Sequence, residues 1–402
     1  MEQYKIRVLY IGAGGIYGAD ISLLKLLEGL KNEIEPFVVF RYSGGSDVFL
    51  KQIGIPCVKV SMCRQNLPYV RNFKEAILFL PRLFLYLRYN FLVPKRLINI
   101  INKFQPDIIH TNVGNYQLGY RAAKKMNVKH VWHLREFQGK DMDRWIIGGK
   151  KGFIKLLKED TNTYPIAITK IIADYFKISH EHVVYNGIRK KSETIFIPQK
   201  KKYFLFVGRI SKEKGVLKLV EAFCKFAQTN KEYSLLLAGK IFDYEYKNEL
   251  KNLIKQYDDI DKERIQFLGE KNEKEVNELM SLATALIVTS YHEAFGRIVA
   301  EAMFNGCLVI GNNIEGIKEQ FDNGLIKTGE EIGIRYNNVN ELSKKMEEVT
   351  TNGILYYIPM IERSQQVVKE LYTVEEYCQN IYKVYCKVLN ISDENIKHSQ
   401  RS

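Results

Sequence analysis

Two carboxylates stand on a turn and on the helical segment that follows it, in the second half of the chain. Glu293 and Glu301 are separated by seven residues, and their segment begins directly after the apolar run ALIVTS. Carboxylates accept hydrogen bonds from vicinal hydroxyls, so the pair could hold a ribose and a hexose separately. The backbone N–H groups of residues 294–297 would meanwhile face a negatively charged group. The pattern predicts a site for an anionic ligand that is rich in hydroxyls.

The same two acids also have a purely structural explanation. An acid near a helix N-terminus is favoured by the helix dipole, and the second acid could simply face solvent. Glu301, however, falls among Ile298, Val299, Ala302 and Met303. An acid in such an apolar helix needs a partner, which favours a functional interpretation.

A basic loop follows another strand-like run, YFLFVG, and leads into a helical segment. Arg209 and Lys214 bracket this loop, VGRISKEKG. Both could reach a diphosphate, arginine through its planar fork and lysine as a point charge. The alternative is a pair of solvated charges, the usual situation of these residues. The position between a strand and a helix favours anion binding.

In the first half, glycines and histidines follow the strand-like runs. Small residues in the run Gly12–Gly18 would let backbone amides approach an anion or a sugar closely. The spacing departs from G-x-G-x-x-G, so a tight turn without a ligand stays open. His110 and His133 lie at predicted strand ends, where an imidazole could donate to a phosphate or a hydroxyl. A lone histidine is more often structural, and that alternative stays open as well.

Strand-like and helical segments alternate along the chain, which predicts an α/β protein with mostly parallel, doubly wound sheets. The alternation runs through residues 1–186, stops over the polar and basic residues 187–202, and restarts over residues 203–372. We therefore expect two Rossmann-like domains joined by a linker, with ligands bound in a cleft between them. A helix at 373–390 has apolar residues suited to packing on one side, and the tail 391–402 is polar.

Composition limits the compartment and the partners. The chain has 402 residues, 46% of them hydrophobic, which suits two globular domains. Its six cysteines are scattered without CxxC spacing, and the N-terminus has no secretory pattern, so a reducing cytoplasm is expected. The formal charge of +14 calls for an anionic partner: nucleic acid, an acidic membrane face or a phosphorylated substrate. A nucleic-acid recognition motif is missing, so we expect no nucleic-acid partner.

Residues 69–103 are basic and rich in aromatic side chains. Their single acid is Glu75, and arginines interrupt the apolar stretches, which are too short to span a bilayer. A helical pair of this kind could lie in the interface of an anionic membrane. Alternatively, two domain helices pack their apolar faces on the sheet while their cations face water. The cations are Arg71, Lys74, Arg82, Arg88, Lys95 and Arg96.

The segment EAFGRIVAEAMFNGCLVIG resembles the signature of retaining glycosyltransferase family 4, within the glycosyl transferases of group 1. The loop VGRISKEKG resembles the basic diphosphate loop of that family and occurs the expected distance upstream. The strand end at Gly239, the turn at Leu268–Glu270 and the final helix are similar as well. This likeness implies the GT-B fold, two Rossmann-like domains in which the last helix returns to the N-terminal one.

The resemblance also implies roles for the matched residues. Arg209 and Lys214 would bind the diphosphate and stabilise the departing nucleotide, Glu301 would hold the ribose, and Glu293 would hold the transferred sugar. His133 would contact the sugar or the acceptor near the reacting carbon, with His110 a weaker candidate. The implied donor-binding residues are Gly14, Gly15, Arg209, Lys214, Gly239, Leu268, Gly269, Glu293, Ala294, Phe295, Gly296, Arg297, Ile298 and Glu301.

The implied activity is transfer of a hexose, with retention and without a metal or other cofactor, to a hydroxyl of a polysaccharide or lipid-linked glycan precursor. A UDP-sugar is the expected donor. Two departures from the family pattern are GAGGIYGAD in the first glycine run and Ala294 where glycine is common. A nucleotide-sugar epimerase or phosphorylase of the same fold stays open. So does a non-catalytic protein that binds carbohydrate or membrane.

Overall fold

The computed structural model describes most of the chain, in the ranges 5–16, 18–62, 66–70, 72–139, 144–146, 148–257 and 261–391. Tyr17 of the glycine run, Cys63, Arg71 and residues 392–402 of the polar tail lie outside these ranges. The chain divides into two compact units. The first comprises Met1–Gly187 together with Val374–Ser402, and the second comprises Ile188–Thr373.

The first unit is built on a six-stranded parallel sheet in the order β3-β2-β1-β5-β6-β8, and β4 pairs with β7 in a separate antiparallel ribbon. Its elements up to the second unit are β1 (Ile6–Gly12), α1 (Gly18–Leu30), β2 (Ile34–Phe40), α2 (Ser46–Gln52), β3 (Cys57–Lys59), β4 (Asn66–Pro68), α3 (Phe73–Phe91), α4 (Lys95–Phe104), β5 (Ile108–Thr111), α5 (Leu118–Met126), β6 (Lys129–Leu134), β7 (Arg144–Ile146), α6 (Gly149–Glu159), β8 (Thr163–Ala167) and α7 (Lys170–Phe176).

The second unit repeats this plan with a six-stranded parallel sheet in the order β11-β10-β9-β12-β13-β14. Its elements are β9 (Lys201–Val207), α8 (Val216–Thr229), β10 (Ser234–Ala238), α9 (Tyr244–Lys255), β11 (Ile265–Gly269), α10 (Glu273–Leu282), β12 (Ala283–Val288), α11 (Arg297–Phe304), β13 (Leu308–Asn312), α12 (Glu315–Thr328), β14 (Ile334–Tyr336), α13 (Val339–Asn352) and α14 (Ile358–Leu371). The chain ends in α15 (Val374–Leu389), which belongs to the first unit.

The predicted fold class, α/β with two Rossmann-like parallel sheets, is confirmed. Each sheet has the doubly wound strand order, in which the second half of the strands starts again beside the first strand. Every residue of β5 and of β12 is buried, because helices cover both faces of a parallel sheet. This burial explains why residues 285–288 of β12, ALIV, form a continuous apolar run rather than an alternating one.

The last helix, α15, packs against α1 in the first unit. Cys378 of α15 lies so close to Gly29 of α1 that a Cβ on this glycine would stand 2.4 Å from its sulfur. Val374, Ile381 and other apolar residues of α15 share one core with α1 and the sheet. Residues 188–202, which the sequence analysis assigns to a linker, fall within the second unit.

The basic segment 69–103 forms α3 and most of α4, and the two helices differ in their packing. In α4, Leu97, Ile101 and Phe104 are buried in the core of the first unit, as the packing alternative predicts. In α3, large apolar side chains such as Phe73 and Leu80 are exposed. Over the described ranges, no helix is both long enough and apolar enough to cross a membrane.

Candidate active site

Three glycines meet where β9, β10 and β11 end. The N–H of Gly208 donates to Ala238 O at 3.0 Å, and the N–H of Gly239 donates to Gly269 O at 2.8 Å. A Cβ on Gly239 would lie 1.8 Å from Gly208 O, a separation that no side chain can accommodate. Glycine therefore lets the end of β10, near Leu268 and Gly269, contact the start of the basic loop. Arg209, the next residue in that loop, has an exposed side chain.

The basic loop is bound to the segment that follows β12. Thr289 donates its hydroxyl to Lys214 O at 2.7 Å, and the N–H of Tyr291 donates to Glu213 O at 2.9 Å. Gly215 has a φ of 65°, and a Cβ there would lie 2.2 Å from Thr289 O. These contacts hold the two motifs of the sequence side by side at the carboxyl edge of the sheet.

Lys214 and Glu293 form a direct ion pair across this junction. Ser290 donates its hydroxyl to the same Oε1 of Glu293 at 2.9 Å. The two charged side chains are 27% and 16% exposed, so both remain within reach of a ligand from solution. The structure thus places the cation expected to bind phosphate against the acid expected to bind a sugar.

Buried side chains pack against the turn that follows Glu293 and donate hydrogen bonds to its backbone. Gln320 donates its amide to the backbone oxygens of Phe295 and Gly296. Phe295 is buried and contacts Tyr372 edge-on, with the ring centroids 5.3 Å apart. Gly296, directly before α11, has a φ of 78°, a conformation that favours glycine. This support fixes where the backbone amides at the start of α11 point.

Glu301 has the partner that its apolar surroundings require. Its Oε1 lies 3.1 Å from a guanidinium nitrogen of Arg297, one helical turn earlier, and the carboxylate side chain remains 26% exposed. Ala294 and Ile298, between the two predicted acids, are half-buried. The acid is therefore paired within its own helix and still open to a ligand.

Glu315 was missed by the sequence analysis, although it orients the backbone at Glu293. Its carboxylate accepts the N–H of Glu293 at 2.9 Å and contacts Nδ1 of His292 at 3.0 Å. In return, Glu293 O accepts the N–H of Gly316 at 2.9 Å. The signal that could have revealed Glu315 is its position just after β13, at the same edge of the sheet as the predicted acids.

In the first unit, the carboxyl group of Asp20 accepts a backbone hydrogen bond from the glycine run. The N–H of Gly14 donates to Asp20 at 3.2 Å, and Gly15 O accepts the hydroxyl of Ser46. Burial raises the pKa of Asp20, against the opposing effect of the Gly14 and Gly15 amides and of the Arg135 charge. Asp20, two residues after Gly18, is not among the residues that the sequence pattern indicated. Gly14 has a φ of 96°, and a Cβ there would lie 2.1 Å from Tyr42 O.

The two candidate histidines of the first unit are fully buried beside α15. Nδ1 of His110 lies 2.7 Å from the hydroxyl of Tyr385, which also contacts Tyr10 at 2.8 Å. The His110 and His133 ring centroids are 5.5 Å apart. Burial, followed by the charge of Arg135, lowers the pKa of both imidazoles well below the usual value, so both are neutral near pH 7.

Arg135, directly after β6, connects His133 to three other segments. Its guanidinium donates to Asn112 at 2.9 Å, to Tyr377 of α15 at 2.6 Å and to Asn186. It also lies 3.1 Å from Nδ1 of His133. A guanidinium can only donate, so Nδ1 accepts and the proton of the neutral ring is on Nε2. That Nε2 is buried and has no hydrogen-bond partner in the described part of the chain.

The fold of the chain is that of GT-B proteins. The crystal structure of Anabaena Alr3699/HepE in complex with UDP is similar with a TM-score of 0.74 at 18% identity, over 96% of this chain and 100% of that one. The structure of the same protein with UDP-glucose gives a TM-score of 0.71, also at 18% identity, over 94% and 99% of the two chains. At this identity the likeness shows the fold alone.

The second unit carries the similarity to a known family. Residues 187–367 match the family described as Glycosyl transferases group 1, so this part of the chain is similar to that family. The matched residues include the basic loop, the ion pair and both predicted acids.

Two curated proteins are similar in sequence. An uncharacterized 42.6 kDa protein in the cps region of Klebsiella pneumoniae is 28% identical over 255 residues, which are 58% of this chain and 64% of that protein. The N-acetyl-alpha-D-glucosaminyl L-malate synthase of Bacillus anthracis is 23% identical over 388 residues, 88% of this chain and 96% of that protein. The chain thus spans just under two thirds of the first relative and nearly all of the second.

Proposed function

We propose that the protein is a retaining glycosyltransferase of family 4 that moves a hexose from a UDP-sugar to an alcohol acceptor. The observation that carries this proposal is the junction of the basic loop with the EAFGRIVAE segment, where Lys214 contacts Glu293. Cations, hydroxyl acceptors and a helix N-terminus then occupy one edge of one sheet. A nucleoside diphosphate sugar carries the groups that each of them binds.

The leaving diphosphate gains negative charge as the sugar departs, so cations nearby accelerate the reaction. Arg209 and Lys214 would supply this charge, together with the backbone amides at the start of α11. Glu293 forms an ion pair with Lys214 in the structure. A bound diphosphate would compete for the ammonium group and release the carboxylate to accept hydroxyls of the transferred sugar. Glu301 would hold the ribose, Leu268 and Gly269 would lie beside the base, and Gly239 would also contact the donor.

The first unit would supply groups near the reacting carbon and the acceptor. His133 is a neutral ring with its proton on Nε2, so it would donate a hydrogen bond rather than accept a proton. Gly14 and Gly15 would line the donor. We propose no metal or cofactor, because the cations and the helix dipole would provide the counter-charge.

The proposed donor is supported by HepE, whose structures contain UDP and UDP-glucose. The proposed acceptor is a polysaccharide or a lipid-linked glycan precursor, in keeping with the cps region in which one relative is encoded. We place the reaction in the cytoplasm, on the inner face of the membrane, where such precursors are assembled.

The experiment that tests this proposal has two stages. A panel of UDP-, GDP- and ADP-sugars is first screened for protection against thermal unfolding, since a ligand of the folded state raises its stability. Transfer to candidate acceptors is then followed with and without EDTA, and the anomeric configuration of the product is read by NMR. We expect protection by a UDP-sugar, and transfer with retention that EDTA leaves unchanged.

Two matched lysine variants test whether the transfer depends on the candidate active site. Lys214→Ala should abolish most of the transfer, whereas Lys344→Ala, which removes an exposed lysine of α13, should not. Turnover of the donor without any acceptor alcohol would favour an epimerase or phosphorylase. Donor binding without turnover under all conditions would favour a non-catalytic carbohydrate-binding protein, and either outcome would overturn the transferase proposal.

A further inference from the structure

Helix α3 carries a continuous apolar ridge on its outer side. Phe73 is 81% exposed, Leu80 is 70% exposed and Phe84 is 64% exposed, and Ile77 and Leu87 are exposed between and after them. These positions are separated by three or four residues, so their side chains lie on one side of the helix. We call these five residues the α3 ridge.

The opposite side of α3 holds the helix on the first unit. Tyr86 is buried, and Phe79 stacks on Trp145 with the ring centroids 6.3 Å apart. The side chain of Asn72 accepts the N–H of Glu75 at 2.9 Å and so caps the first turn. The helix is thus capped and anchored through one face, and the α3 ridge projects from the other.

An exposed ridge of this size requires an explanation. Burial of one Phe, Leu or Ile side chain is worth about 1.5–3 kcal/mol, and soluble monomers rarely leave such residues exposed in a contiguous patch. The exposed apolar surface continues beyond the helix at Val70 and Leu92. A partner that removes this surface from water would therefore gain substantial free energy.

The charges around the ridge indicate the chemistry of that partner. Between residues 72 and 103 the sequence has six Lys or Arg residues and one acid, Glu75. Lys74 and Arg88 are exposed on α3, and Lys95 and Arg96 are exposed at the start of α4. A second copy of this chain would bring like charges together in a two-fold interface, whereas anionic phosphates would neutralise them.

We propose that the α3 ridge docks the protein on an anionic lipid bilayer. The helix would lie in the plane of the membrane, with the ridge at the boundary between head groups and acyl chains. Lys74, Arg88, Lys95 and Arg96 would bind the lipid phosphates. This inference goes beyond the proposed transferase function, because the ridge residues are not among the candidate donor-binding residues and lipid binding would not require transfer.

The test measures partition of the purified full chain onto vesicles by flotation. One vesicle population is phosphatidylcholine alone and the other contains equal parts of phosphatidylcholine and phosphatidylglycerol. The double variant Leu80→Ser, Phe84→Ser should lose at least about 10-fold in partition onto anionic vesicles, because two apolar anchors are removed. The matched control is Ile326→Ser, Leu355→Ser, which removes two equally exposed apolar residues from the second unit and should leave partition unchanged.

A second variant tests how much the lysine charges contribute to vesicle binding. Lys74→Gln, Lys95→Gln should lower partition onto anionic vesicles by about fivefold for each lysine at low salt, with no effect on phosphatidylcholine vesicles. If the double serine variant fails to fold, the variant Leu80→Trp tests the ridge instead. The fluorescence emission of the introduced tryptophan should shift to shorter wavelength when anionic vesicles are added.

The proposal is overturned if the wild-type chain does not bind anionic vesicles, or if the ridge variant binds as well as the wild type. Sedimentation equilibrium tests the alternative that a second copy of this chain covers the ridge. Self-association that the ridge variant abolishes, without any vesicle binding, would assign the ridge to a dimer interface instead. Unchanged donor binding in the ridge variant would confirm that lipid docking and the candidate donor site are tested separately.

Discussion

The ammonium group of Lys214 is bonded to the carboxylate of Glu293, so two motifs 79 residues apart in sequence meet in one ion pair. Thr289 and Tyr291 hold the two backbones together on either side of it. A partly exposed pair of this kind can exchange its partner for a ligand at little cost. Under the proposed function, a diphosphate would replace Glu293 as the partner of Lys214, and a sugar would replace Lys214 as the partner of Glu293.

Lys214→Ala should lower kcat by about 10²–10³-fold, because it removes a cation that faces developing charge on the leaving group. Glu293→Gln should instead weaken donor-sugar binding, since an amide accepts hydroxyl hydrogen bonds less strongly than a carboxylate. Steady-state kinetics with the best donor, with calorimetry of UDP binding, separates the two effects. A Lys214→Ala enzyme with full turnover would contradict the role given to the basic loop.

Glu301→Gln should raise the KM for the donor by about 10-fold or more while leaving the thermal midpoint nearly unchanged. A hydrogen bond to a charged group is worth about 1.5–3 kcal/mol, whereas the ion pair with Arg297 within the helix is worth only about 0.2–0.5 kcal/mol. Glu348→Gln is the matched control, because it breaks a similar pair with Lys345 on α13. An equal rise in KM for both variants would remove Glu301 from the donor site.

Gly239→Ala should destabilise the second unit by about 3 kcal/mol or more and abolish UDP binding. Its φ of 153° and the Gly208 oxygen 1.8 Å from the added Cβ both oppose the substitution. Gly329→Ala is the control, since its φ of 77° is strained but no atom lies within 4 Å of an added Cβ. It should cost only about 1 kcal/mol and keep UDP binding. Thermal unfolding followed by calorimetry, with and without UDP, measures the stability and the UDP binding of the two variants.

The local patterns of the sequence were sufficient to predict the two parallel sheets and to locate the basic loop and the acidic segment at the ends of strands. Apolar runs such as IRVLYIG became buried parallel strands, and the acids after ALIVTS lie where the end of β12 places them. The ion pair, by contrast, joins residues that only the folded sheet brings together. Arg135 and Glu315 were missed because their partners lie on other elements. Tyr377, for example, is 242 residues from Arg135 in sequence.

The burial of the histidines could not be predicted for the same reason. His110 and His133 occupy the strand ends that the pattern indicated, but the residues that enclose them come from α15 at the far end of the chain. A strand-end pattern gives the position of a side chain along the sheet. Which face is covered, and by which element, depends on contacts distant in sequence.

Acid should destabilise the first unit through its buried histidines. Burial lowers the pKa of His130 to about 3, while its unfolded-state value is near 6.5. The unfolded state therefore binds the extra proton first, so stability is fully retained above pH 6.5 and is lost as the pH falls toward 3. At about pH 4.5 this one group should lower the free energy of unfolding by about 2–3 kcal/mol.

His130→Gln should remove that contribution, so the difference in stability between pH 7 and pH 4.5 should shrink by a similar amount. Urea unfolding followed by tryptophan fluorescence reports the first unit specifically, because the two tryptophans of the chain, Trp132 and Trp145, both lie in it. His180→Gln is the control, since the side chain of His180 is 51% exposed. An unchanged pH dependence in the His130 variant would assign the acid sensitivity to other groups.

Arg135 should fix the tautomer of His133. The guanidinium donates to Nδ1 at 3.1 Å, so Nε2 carries the proton and is the only nitrogen free to donate to a ligand. Nitrogen-15 spectra of histidine-labelled protein near pH 7 should show Nδ1 unprotonated and Nε2 protonated, because burial lowers the pKa of the ring and keeps it neutral. Protonated Nδ1 in the wild type would refute this assignment outright.

Variants separate this positioning effect from general support of the fold. Arg135→Met removes the donor, so the His133 signals should show a mixture of tautomers, and kcat/KM should fall by about 10-fold or more. Tyr377→Phe removes another partner of Arg135 but leaves the bond to His133, so the tautomer should be unchanged even if stability falls. If Tyr377→Phe mixed the tautomers as Arg135→Met does, the effect would come from loosened packing. Arg135 would then be a structural residue alone.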